Sequence, residues 1–327
     1  MKYDIITIGG ATEDITFYTK EGVIVDNKKD ILKQRLLAFE YGAKIKIDKA
    51  YSGFGGGAAN SGVCFSMLGF KVASLIAVGD DGRGELIVKN LEKRGVDASM
   101  AQKHKGVESG FSFLLVGQDN EHIVFSNRAA NTKLQITDLD LENLKNTNWI
   151  YITSLSGQWQ DILERIFSVQ GVKIAWNPGH IQLDHGINAL GKYLKKTKVL
   201  IVNKDEAIEL VASDEKHKKK SARFLKNIKN LLAIIQGWGP EIAVITNGKY
   251  GADAYNGVKY YHQDILKEKK RVDTTGVGDA FGASFVAGLE LFQGNIEKAM
   301  KLAIKNTASV ISEQGAQNGL LLKKDII

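Results

Sequence analysis

"DTTGVGDAFGASFVAGLELF", residues 273–292, is the stretch from which the fold and the chemistry of this chain are read. After Asp273 a Thr-Thr-Gly-x-Gly turn opens a segment in which Phe281, Phe285, Leu289 and Phe292 recur at helical spacing. A helix start without bulky side chains exposes unpaired backbone N–H groups at the positive end of the helix dipole, which makes a phosphate or oxyanion site. Asp279 falls in the first turn, where the dipole favours an ionised carboxylate and a weak base. A weak base suffices for phosphoryl transfer, whose loose transition state needs positioning and late proton removal. Taken alone, G-x-G-D is more often a tight turn with an acid that complements the helix end.

Outward from this segment, apolar runs alternate with amphipathic stretches. Ile5 to Ile8, Val72 to Val78, Trp149 to Thr153, Val172 to Trp176, Val199 to Val202 and Ile242 to Thr246 read as buried strands of parallel βαβ units. Segments such as "GELIVKNLEKRG" carry helix spacing between them. This is a doubly wound α/β core. Two regions break the rhythm. "AKIKIDKAY" places Ile45 and Ile47 on one face and Lys44, Lys46 and Asp48 on the other, a strand with one wet face. "GFSFLLVGQDNEHIVFSN" reads as a hairpin turning around Gln118 to Glu121. Together, residues 17–51 and 107–127 are expected to form a small antiparallel β lid on a single domain spanning 1–327.

With 327 residues, 44% hydrophobic and 25% charged, the chain can bury a large core. The net charge of +7 raises the question of nucleic acid, but "KHKKK" (Lys216 to Lys220) and "KEKK" (Lys267 to Lys270) are short and lack interleaved aromatics. Solvated faces are the better reading. Cys64, alone in its pattern, reads as a buried small hydrophobe in a reducing compartment. The N-terminal residues enter a strand pattern rather than a signal peptide, and no apolar run has membrane-spanning length. A cytoplasmic protein without nucleic-acid or membrane partners is expected.

"DTTGVGDAF" resembles the C-terminal signature D-T-T-G-A-G-D-x-F of the PfkB/ribokinase family of carbohydrate kinases, with Val277 for the alanine. The resemblance implies a ribokinase-like doubly wound α/β/α core with a small antiparallel β lid, and an ATP- and Mg²⁺-dependent kinase phosphorylating a hydroxyl of a sugar or nucleoside. It puts the general base on Asp279, the anion hole on the backbone through Gly276, Val277 and Gly278, and a monovalent cation, K⁺, near Asp273. It places the family's substrate aspartate on Asp14, in "GGATED" at the end of the first strand, which otherwise reads as a turn residue. "GGGAAN" is similar to the family's G-G-x-G-x-N, so that Gly56 and Gly57 admit the substrate to the backbone and Asn60 meets its hydroxyls. Gly57 stands where many members have lysine, and the contact that lysine makes is missing or comes from elsewhere.

"VNKDEA" puts Asn203 and Glu206 three residues apart, either as a helix-capping pair or, as the resemblance implies, as the N-x-x-E motif that organises Mg²⁺ waters and nucleotide phosphate. "ITNGKYGADAYNG" looks like the family's segment at the nucleotide phosphates, giving Thr246, Gly248 and Gly251. "IKNTASVISEQGA" matches the helix and loop beside adenine and places Asn306 by the base. In "SNRAANTKL", Arg128 faces either an acidic substrate group or a surface salt bridge. Lids of this family often pair between subunits, and an open sheet edge needs cover, so a homodimer through the lid is expected.

One rival reading uses Gly53, Gly55 and Ala58, which satisfy the dinucleotide fingerprint G-x-G-x-x-A with Asp80 and Asp81 beyond. It requires a buried parallel strand directly before the glycines, whereas "KIKIDKAYS" is half charged. A non-catalytic sugar or nucleotide sensor on the same fold is the other alternative.

Overall fold

The computed structural model describes residues 3–26, 35–117, 122–267 and 270–326. The expected lid turn at Gln118 to Glu121, and Glu268 and Lys269 of the second basic run, lie outside them. Nine strands form the main sheet, in the order Tyr260–Gln263, Ala252–Tyr255, Ile242–Thr246, Val199–Asn203, Lys173–Trp176, Thr147–Ile152, Tyr3–Ile8, Val72–Leu75 and Val96–Asp97. Pairing is parallel except at Ala252–Tyr255 and Tyr260–Gln263. A parallel sheet covered on both faces needs apolar residues facing both ways, hence strands that read as runs such as Ile5, Ile6 and Ile8, all fully buried.

Two apolar layers fill the space above and below the sheet. One gathers Trp159, Trp176, Phe167 and Tyr193, the other Phe65, Tyr151, Phe281 and Phe285. Burying a side chain such as Phe65 or Phe285 contributes about 1.5–3 kcal/mol. The helix Val277–Leu291 is apolar nearly all round and lies buried from Ala280 to Leu289. Gly288 lets it approach the helix Ile296–Val310, since a Cβ there would stand 2.7 Å from Ala299 Cα.

From the adjacent central strands Tyr3–Ile8 and Thr147–Ile152 the chain winds outward in opposite directions. Such a switch point leaves a crevice at the strands' C-terminal ends, where open α/β sheets bind ligands. Directly after Tyr3–Ile8 the chain leaves the core for a second sheet, ordered His122–Asn127, Phe111–Val116, Thr12–Tyr18 and Lys49–Gly55. Two antiparallel pairings are joined there by a parallel one between Thr12–Tyr18 and Phe111–Val116. A hairpin of Val23–Asp26 with Arg35–Ala38 is separate.

The second sheet therefore begins earlier and ends later than the expected 17–51. "AKIKIDKAY" is strand only from Lys49 on, because its partner ends at Tyr18, paired with Lys49, and before it Lys46 bonds the side chains of Thr19 and Glu21 instead of a strand backbone. The run Val72 to Val78 also divides: Ala77–Gly79 leaves the main sheet to pair with Gln102–His104. Among the described residues no helix is long and apolar enough to cross a membrane.

Candidate active site

The helix Val277–Leu291 starts from Gly276, whose φ of 72° is left-handed and whose added Cβ would lie 2.4 Å from Ala316 Cβ. Only glycine fits there. Gly278 is the opposite case, since a Cβ on it would meet no atom within 4 Å. Among the described residues the N–H groups of Gly276, Gly278 and Asp279 have no acceptor, while Thr275 N–H is taken by Asp273 Oδ1 at 2.9 Å. The turn thus presents free donors toward open space, the arrangement an anion requires.

Asp279 lies in the same first turn, and Asn60 Nδ2 donates to its Oδ2 at 2.8 Å. Burial pushes the carboxyl up to about 6; the neighbouring Asp14 charge acts in the same direction, and the Asn60 hydrogen bond opposes them. The expectation that the helix dipole leaves Asp279 a weak base is corrected here: loss of solvation outweighs it. Asp279 Oδ1 takes no hydrogen bond among the described residues.

Asp14 lies within the second sheet, in Thr12–Tyr18, rather than in a turn. It accepts from Thr12 Oγ1 at 2.9 Å, and burial raises its carboxyl as well. The glycines of "GGGAAN" are required by the protein itself. A Cβ on Gly55 would fall 1.9 Å from Asp14 Oδ2, on Gly56 2.5 Å from Gly10 O, and on Gly57 2.8 Å from the Thr153 side chain. The first-turn donors Ala58 N–H and Ala59 N–H both go to Gly10 O. Close packing on the Cβ side thus accounts for these glycines, while Gly56 and Gly57 stay partly exposed, and the turn also delivers Asn60. That side chain is also spoken for, donating to Asp279 and accepting from Gln317 Nε2 at 3.1 Å.

A cleft of about 300 Å³ lies beside the open helix start. Thr246, Gly248 and Gly251 line it, with Val277, Gly278, Phe281, Ile304, Thr307 and Ile311. Lys249 and Arg271 also line it, two cations not named from sequence although Lys249 lies within "ITNGKYGADAYNG" and Arg271 just precedes "DTTGVGDAF". Gly251 has φ 80°, and a Cβ on it would press 2.0 Å from Gln263 O.

Asn306 is not at this cleft. It is fully buried, donating to Ser284 Oγ at 2.7 Å and Cys64 Sγ at 3.3 Å and accepting from Leu321 N–H at 2.8 Å. Its polar atoms are consumed in joining two helices to the C-terminal segment, which leaves none for adenine; its neighbour Thr307 lines the cleft instead. Cys64 in the same cluster is pushed up to about 12 by burial.

Asn203 and Glu206 form a reciprocal capping box on the helix Lys204–Ala212, at 2.9 and 2.8 Å. Glu206 Oε2 serves the cap, Oε1 does not, and burial raises this carboxyl. Asp273 staples two turns, accepting from Thr275 and, at 3.0 Å, from Gly315 N–H. Arg128 donates to Ser156 Oγ at 3.0 Å rather than to an acid. Next to it, Asn131 bonds both N–H and C=O of Ala11, at 2.9 and 3.0 Å, and fixes the turn leading to Asp14.

The fingerprint glycines Gly53 and Gly55 end a strand of the second sheet, antiparallel to Thr12–Tyr18, so the strand a dinucleotide fold needs before them is not there. The family profile described as "pfkB family carbohydrate kinase" matches residues 28–323. The chain belongs to the pfkB family. An ATP-dependent ribose-1-phosphate kinase from Halopiger xanaduensis is 25% identical to this pfkB kinase over 265 residues, covering 81% of this chain and 82% of that protein. Ribokinase from Arabidopsis thaliana, solved with ribose and ATP, superimposes with a TM-score of 0.78 at 19% identity, covering 100% and 98%. A nucleoside kinase from Methanocaldococcus jannaschii does so at 0.76 and 20%, covering 99% and 97%. The protein is a carbohydrate or nucleoside kinase with a ribokinase-like fold.

Proposed function

We propose that this kinase transfers the γ-phosphoryl group of ATP to a hydroxyl of a ribose-like sugar or a nucleoside, with Asp279 taking the hydroxyl proton. The observation that carries this reading is the pairing of a carboxyl raised to about 6 with three acceptor-free N–H groups in one helix turn. As the hydroxyl oxygen bonds the γ-phosphorus, the bond to the β-phosphate bridging oxygen breaks, ADP leaves and the proton passes to Asp279. The Gly276, Gly278 and Asp279 N–H groups meet the charge developing on the transferred group. ATP would lie along the cleft, its phosphates near Gly248, Lys249 and Arg271.

Asp14 is the acceptor for substrate hydroxyls in this reading, and Arg128 borders the same turn. Glu206 Oε1 would hold a hydrated Mg²⁺, which when bound neutralises phosphate charge. K⁺ near Asp273 belongs to the same reading and is checked by comparing turnover in potassium and choline chloride. The strand His122–Asn127 forms one edge of the second sheet and exposes Val124 and Phe125 at 50% and 56%, an edge suited to pairing with a second copy. Light scattering that returns a monomer would remove the dimer.

The test is ADP release from ATP and Mg²⁺ across ribose, deoxyribose, ribose phosphates, hexoses, sugar acids and nucleosides. At least one member is expected to stimulate release and carry the phosphate. Binding without turnover across the panel would instead indicate a sensor.

A further inference from the structure

The bond from Asn60 to Asp279 is the last of three amide links. Asn90 Nδ2, on the helix Gly82–Lys93, donates to Gln317 Oε1 at 2.8 Å; Gln317 Nε2 donates to Asn60 Oδ1 at 3.1 Å; Asn60 Nδ2 donates to Asp279 Oδ2 at 2.8 Å. Asn60 and Gln317 are each 5% exposed, so solvent does not compete for these groups. The three residues come from two helices and the C-terminal loop, with Gln317 lying 257 positions from Asn60 and 227 from Asn90.

An amide can present either its oxygen or its nitrogen, and an ionised carboxylate accepts only. Asn60 meets the ionised Asp279 nitrogen-first, and a donor on its oxygen fixes that orientation; Gln317 is that donor. Gln317 in turn presents nitrogen because Asn90 occupies its oxygen. All three dipoles point one way, and aligned hydrogen bonds reinforce one another.

We propose that Gln317, with Asn90 behind it, is a positioning residue: it locks the Asn60 amide donor-first onto Asp279 and so holds the ionised carboxylate with Oδ1 directed to the substrate hydroxyl. The assignment rests on the reading of Asp279 as base, and its test is separable from that reading. Gln317→Met keeps the length and volume and removes the donor. Asn60 is then free to turn its oxygen toward Asp279, which favours the protonated acid.

The experiment follows the Asp279 side-chain carboxyl by carbon-13 NMR across pH, with the signal identified by its loss in Asp279→Asn. In Gln317→Met the titration midpoint is expected to rise by about 0.5 unit or more, and the acid limb of kcat/KM to move with it while KM for ATP stays put. Asn90→Leu, at a half-buried position, is expected to give a smaller rise in the same direction and serves should Gln317→Met not fold. Asn318→Ala, in the same loop but bonded to Tyr51 and Arg94, is expected to leave the midpoint unchanged. A midpoint unmoved in every folded variant of Gln317 and Asn90, or an equal shift in Asn318→Ala, overturns the relay. If the midpoint shifts but Asp279→Asn still transfers phosphate at full rate, the relay stands and the base assignment fails.

Discussion

Two helices of this kinase begin in nearly the same way and end up with different work. Gly57–Met67 and Val277–Leu291 both follow a positive-φ glycine, Gly56 at 90° and Gly276 at 72°, without a side-chain cap. Both glycines are forced by close backbone or side-chain neighbours, Gly10 and Ala11 for one, Ala316 for the other. The difference lies in the donors. Gly10 O takes the Ala58 and Ala59 N–H groups of Gly57–Met67, whereas at the other start Val277 N–H goes to Thr274 O, those of Gly276, Gly278 and Asp279 have no acceptor among the described residues, and the flank at Gly278 is empty. A glycine-rich helix start is an anion site only where the protein does not supply the anion's substitute.

The first way to break this comparison is to fill both turns. Gly278→Val puts a side chain where there is no protein atom, so stability should change by no more than about 1 kcal/mol while kcat/KM falls roughly 100-fold or more through displaced phosphate. Denaturant melts and steady-state kinetics read the two effects, and a fully active Gly278→Val protein would refute an anion cradle there. Gly57→Val should do the reverse, costing about 1–3 kcal/mol through its collision with Thr153. A stability equal to wild type would mean that turn is not closed.

The Asp279 carboxyl gives the next effect. Its folded value of about 6 stands above the ordinary carboxylate range, so the folded state holds the proton more tightly. That contribution is complete below about pH 4 and is lost as pH rises through about 6. Asp279→Asn should therefore stabilise the protein by about 1–3 kcal/mol at pH 8 relative to pH 4, as read by urea midpoints at both. Equal differences at the two pH values would contradict the raised carboxyl. The smallest effect is at the start of the helix Lys204–Ala212: Asn203→Ala should cost about 1 kcal/mol through the lost cap. Differential melting without ligand isolates it.

Six of the seven parallel strands of the main sheet could be read from sequence because burial on both faces leaves uninterrupted apolar runs; the seventh, Val96–Asp97, is too short to leave one. The Gly276–Asp279 turn was equally readable, since its glycines and acid are adjacent in sequence, although the packing of Gly276 against Ala316 is not. The second sheet was only half readable: where its strands stop depends on the length of a partner thirty residues away, as Tyr18 and Lys49 show. Asn306 was misplaced for a related reason. Its helix pattern is visible in sequence, but its hydrogen bonds run to Ser284, Cys64 and Leu321, which spacing does not disclose. Gln317 and Asn90 carry no local signal at all; only the folded chain brings them behind Asn60.

The central claim is that the open turn binds the transferred phosphate beside a carboxylate that accepts the hydroxyl proton. Turnover of Asp279→Asn on a substrate accepted by the wild type, with ATP affinity measured alongside, tests it most directly. A fall in kcat of about 10²–10⁴-fold with ATP bound as before is expected. An undiminished kcat would contradict it.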